Sequence, residues 1–66
     1  MNLITIGKRL KELRGKRNRV DVAKIVNISL SALAMYERGE RIPRDEVKKR
    51  FSELYEKSVQ EIFYDE

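Results

Sequence analysis

The chain has 66 residues, 39% of them charged, and contains neither cysteine nor histidine. A chain of this length buries only about 60% of the surface its unfolded form exposes. That leaves one thin core, a single domain over 1–66 and no enclosed catalytic cavity. Without thiols or imidazoles there are no disulfides, no common soft metal ligands and no neutral-pH general base, so no metal and no cofactor are expected.

Absence of cysteine suits the reducing cytoplasm, the expected location. No apolar run approaches the roughly 18 residues that span a bilayer, and residues 1–6 lack the charged start of a secretion signal, so no membrane partner is expected. The net charge of +4 is unevenly spread. Residues 1–24 carry eight basic and two acidic side chains, 25–44 three and two, and 45–66 four and seven. A basic half joined to an acidic half suits a polyanion on one face and something else on the other.

Five helices are predicted. In the first, Ile6, Leu10 and Leu13 recur at helical spacing, with Thr5 or Asn2 as cap, Leu3 as staple and an end near Lys16. Residues 2–6 are apolar enough for a short edge strand, but no alternation supports one. The second helix begins after Asn18, with Asp21 three positions on, turns Val22, Ala23 and Val26 inward and stops at Asn27. Ser29 caps a third, Leu30 to Glu37 or Arg38, closed by Gly39. Pro43 and Arg44 open a fourth carrying Val47, Phe51, Leu54 and Tyr55. Ser58 and Glu61 form a capping box for a short fifth with Val59, Ile62 and Phe63.

Val22 to Tyr36 is the informative stretch. Two helices meeting steeply need a small residue at the contact, which Ala23 supplies. The turn needs a positive φ, which Asn27 tolerates. Ile28 then tucks under the turn, while Leu33 and Tyr36 anchor the underside of the third helix and leave Leu30, Ser31, Ala34 and Met35 outward.

Four segments, I-G-K-R-L-K-E-L-R at 6–14, V-A-K-I-V-N-I-S at 22–29, Y-E-R-G-E-R-I-P at 36–43 and S-V-Q-E-I-F at 58–63, resemble in order the lambda-repressor-like family of Cro/Xre-type regulators. The resemblance implies an all-α, five-helix DNA-binding domain with helices 2 and 3 as a helix-turn-helix. It implies a structural ion pair between Arg14 and Glu37. It places Ser29, Leu30, Ser31 and Met35 on base edges, and Asn18, Arg19, Arg38, Arg41 and Arg44 on phosphates.

The sequence also departs from the family. Asn18 and Arg19 stand where Ser or Thr and Gln usually open helix 2, and the Leu13–Ala23 connection is shorter. The reading helix is apolar, so Leu30 and Met35 can touch thymine methyls but not hydrogen-bond bases. Two uses of that helix stay open: T-rich DNA recognition aided by DNA shape, or a protein-binding surface. Val20 and Ile25 are apolar where the family is polar.

Specific affinity from so small a module is normally obtained with two half-sites, so a homodimer on an operator is expected, with Tyr55, Phe63 and Tyr64 at its interface. The resulting expectation is a dimeric, sequence-specific transcription regulator, a repressor. Its rival is a helix-turn-helix protein-interaction module serving as antirepressor, antitoxin or assembly factor. Catalysis is not expected: no nucleophile has a base beside it, Gly7, Gly15 and Gly39 form no phosphate loop, and no small-molecule substrate is implied.

Overall fold

A computed structural model describes residues 2–65, and no strand occurs among them. The helices are α1 (Leu3–Arg14), α2 (Arg19–Val26), α3 (Leu30–Glu37), α4 (Asp45–Tyr55) and α5 (Gln60–Tyr64), the last a single π-helical turn. Helix starts are set by local side-chain caps. Asn2 accepts the Thr5 N–H at 3.1 Å, so residues 2–6 open a helix and form no strand. Asn18 accepts the Val20 N–H at 2.7 Å and Ser29 the Ala32 N–H at 3.0 Å. Ser58 and Glu61 bond reciprocally at 3.0 and 3.1 Å. These bonds satisfy amide donors that a helix start leaves without partners.

Three helix ends share one device. A residue with positive φ, namely Asn27 (61°), Gly39 (73°) or Glu56 (55°), reverses the chain. The next N–H then reaches back five residues, Ile28 to Ala23 (2.9 Å), Glu40 to Met35 (2.9 Å) and Lys57 to Ser52 (3.3 Å). α4 starts at Asp45, not at Pro43. Pro43 is buried and Arg44 is still extended, while Asp45 and Glu46 place negative charge at the helix's positive end.

Phe51, wholly buried, is the centre of the core. Tyr36 meets its ring edge-on (6.3 Å, 82°), Tyr55 stacks on it (5.9 Å, 21°) and Phe63 packs at a tilt (6.4 Å, 52°). The expectation of Tyr55 and Phe63 as interface residues is therefore corrected. They are 7% and 1% exposed, because the Phe51 ring offers apolar area that this small core fills with its own aromatics. Tyr64, the third residue expected there, is exposed. Its hydroxyl bonds the Lys48 Nζ at 2.8 Å, and that ammonium lies 4.9 Å from the Tyr64 ring centre, so α5 is latched to α4.

The fifth segment was expected to be an ordinary short helix. Arg9 Nη1 donates to the carbonyls of Glu61 (3.2 Å) and Ile62 (3.1 Å). Glu61 is the acceptor an α-helical Asp65 N–H would use, and that N–H bonds Gln60 instead at 2.8 Å. A side chain inserted into the ladder thus accounts for the wider turn.

α1 crosses the end of α3 at backbone distance. A Cβ on Gly7 would lie 2.5 Å from the Glu37 carbonyl oxygen and 2.9 Å from that of Tyr36. Gly7→Ala is therefore expected to destabilise in urea unfolding by about 1–3 kcal/mol, as overpacking does, although alanine is the better helix former by about 1 kcal/mol. A stability equal to or above the wild type would disprove the close crossing. Tyr55 supplies a second check. Its hydroxyl is buried without a partner among the described residues, and burial pushes its pKa up to about 12. Such a group stabilises the fold fully below its unfolded value of about 10 and loses that contribution as pH rises through about 12. Tyr55→Phe should keep or gain up to about 1 kcal/mol at neutral pH, and flatten the alkaline fall in melting temperature.

Candidate nucleic-acid interface

The α2–α3 pair is built on buried Ala23 and on Asn27, which turns the chain in the left-handed region. Ile28 is half-buried under the turn, and Leu33 and Tyr36 fix the inner side of α3. Leu30 is 49% exposed, Ser29 and Ser31 are exposed, and Ala34 and Met35 are half-buried. Ser29 spends an oxygen lone pair on the α3 cap, but its hydroxyl hydrogen remains available to a base.

Successive helical residues turn by roughly 100°, which sorts the surroundings of α3. Asn27, Ser29, Ala32, Tyr36, Arg41, Arg44 and Arg50 border one cleft of about 260 Å³. Lys11, Arg19, Ala34, Glu37 and Arg38 border a smaller one of about 90 Å³. Ser31 and Met35 project between the two, so α3 presents a ridge with arginines on both flanks.

The phosphate-contact residues expected from sequence differ in their ties. Asn18 uses its side-chain oxygen on the α2 cap. Arg19 is largely exposed, with Nε 3.8 Å from Glu37 Oε1. Arg38 donates Nε and Nη2 to the two Glu40 carboxylate oxygens, both at 3.0 Å, and this bond raises its pKa. Arg41 and Arg44 are exposed, and among the described residues neither forms an ion pair.

Two basic residues at these clefts were missed. Lys11 lies one turn before Arg14, and that spacing could have placed it on the same face of α1. Arg50 donates to the Val26 carbonyl at the end of α2 (3.3 Å) and stands one turn beyond Glu46, 3.9 Å away. Nothing local in the sequence marks the Val26 contact.

Arg14 fixes the ridge. Its Nε and Nη2 donate to Glu37 Oε2 (2.8 Å) and Oε1 (3.2 Å), and its Nη1 donates to the Arg17 carbonyl (3.1 Å). The two side chains are 12% and 4% exposed, and the bond to Glu37 raises the arginine pKa. Because the pair is shielded, removing one partner strands the other. Glu37→Leu is expected to lose about 3–5 kcal/mol in denaturant unfolding, and Arg14→Met with Glu37→Leu to recover most of it. A double variant no better than the single one would show the charges themselves to be needed.

Among the described residues no helix is long and apolar enough to cross a membrane, and no cluster of acidic side chains suits a metal ion. Residues 8–62 match the family model described as helix-turn-helix. No curated protein and no solved structure matches the chain significantly.

Proposed function

Since this chain belongs to the lambda-repressor-like helix-turn-helix family of DNA-binding regulators, we propose that it binds double-stranded DNA sequence-specifically, as a small dimeric repressor in the cytoplasm. The observation that carries this reading is the α3 ridge between two arginine-lined clefts. A B-DNA major groove is about 12 Å wide, with a phosphate strand on each edge. A helix seated in it needs cations on both flanks, and Arg19 and Arg38 on one side with Arg41 and Arg44 on the other supply them.

Along α3 and its cap, Leu30 and Met35 contact thymine methyl groups, while Ser29 and Ser31 provide hydrogen bonds. With so few polar readers, much of the specificity comes from sequence-dependent groove shape. Two copies on half-sites about 34 Å apart would double the contacts. Of the residues first assigned to the interface, Tyr64 is the exposed one through which the copies pair. Occlusion of a promoter by reversible binding then gives repression.

Exposed Val20, Ile25 and Leu30 favour a second reading, a protein-interaction module. Selection from a random duplex pool separates the two. Enrichment of T-rich half-sites spaced by one helical turn supports the repressor, whereas no duplex held above random DNA at low salt supports the module. For a selected site, Arg19→Ala with Arg41→Ala should weaken binding and reduce the salt slope by about 0.9 for each arginine. Unchanged binding would overturn these phosphate assignments.

A further inference from the structure

Among the described residues, Arg38 is the flank arginine that makes two hydrogen bonds to a carboxylate, where Arg19 and Arg50 have only looser ion pairs. Its Nε and Nη2 reach Glu40 Oε2 and Oε1 at 3.0 Å each, in the bidentate geometry that a phosphodiester would also take. Both side chains are in solvent, so DNA can approach them.

The turn that presents Glu40 is held in place. The Glu40 N–H is tied to the Met35 carbonyl at 2.9 Å. Gly39, with φ +73°, lies so close to α1 that a Cβ there would come within 2.9 Å of the Leu3 carbonyl oxygen. The carboxylate is thus delivered two residues from Arg38 by backbone with little room to move. No carboxylate holds Arg41 or Arg44 in this way among the described residues.

We propose that Glu40 is a built-in competitor for the DNA phosphate at Arg38, a residue that limits the affinity of the interface through that one arginine. This rests on the DNA-binding reading above. A phosphate reaching Arg38 must displace Glu40, and the displaced carboxylate then stands beside the strand as a like charge. While Glu40 keeps Arg38, the protein neutralises one phosphate fewer and releases about one counterion fewer from DNA than its arginines alone would. An exposed ion pair is weak, so the handicap is small and reversible.

The test measures anisotropy of a labelled random-sequence duplex between about 50 and 200 mM salt, a range over which phosphate contacts weaken steeply. The proteins are the wild-type chain, Glu40→Gln, Arg38→Ala and the double variant, each first checked for an unchanged melting temperature. Glu40→Gln should tighten binding about two- to fivefold at the lowest salt, the range that an exposed pair spans. It should also steepen the salt slope by about 0.9. In the Arg38→Ala background the same change should bring less than half of that gain and leave the slope unaltered. Equal gains with and without Arg38, or no gain at all, would overturn the assignment while leaving DNA binding standing. Failure of the wild-type chain to bind any duplex at low salt would overturn the DNA-binding reading, and this assignment with it.

Discussion

Glu37 is the carboxylate on which the arrangement of α3 depends. It closes α3, receives Arg14 in two hydrogen bonds and lies 3.8 Å from Arg19. Through it the end of α3 is tied to α1 and drawn toward the start of α2. The contact works only because Gly7 lets the α1 backbone come against the Glu37 and Tyr36 carbonyls. A side chain at that position would lift α1 away and separate the charges. Ion pair and close crossing are therefore one constraint, set on the shielded side of the helix whose other side is free.

That free side is shaped by what the chain lacks. A short sequence without staples commits most of its large apolar residues inward, Phe51, Phe63, Leu10 and Leu33 among them. The flanks of α3 are left to charged residues, each restrained by a different means: Arg19 by nearby Glu37, Arg38 by Glu40, Arg50 by the Val26 carbonyl. Arg41 lies between the Gly39 turn and buried Pro43, and Arg44 stands between Pro43 and the start of α4.

What was legible in the sequence was local. Ser29 and the Ser58–Glu61 box act within three residues, and Asn27 and Gly39 act on the turns they occupy, so residue type was enough. The first cap stayed open between Thr5 and Asn2 until the Asn2 bond to the Thr5 N–H decided it. The family resemblance named Arg14 and Glu37, a pair 23 positions apart that periodicity alone would not join. What failed was the division of aromatic residues between the chain's own core and a partner. Tyr55 and Phe63 are apolar at helical spacing in either case, and only the Phe51 ring decides where they go. Arg9 was hidden for a similar reason. It reads as one more solvated basic residue until the chain returns to it with the Glu61 and Ile62 carbonyls. Glu40 was passed over beside Arg38, because charge counting treats the two as cancelling without asking which atoms meet.

The Arg9 bond joins residues 52 and 53 positions apart, so α5 rests on a loop that includes most of the chain. Loop closure of that length carries an entropic penalty that neighbouring helices do not face. α5 is also only a single turn, held by a few polar ties at its rim and by Ile62 and Phe63 beneath. In the free-energy ordering of local openings it belongs at the low end, and its amides should exchange with solvent before those of α1 and α3. When it lifts, the side of Phe51 that Phe63 covers is bared while α3 is still held by Glu37. The chain can therefore loosen at its aromatic centre without first losing the geometry of α3.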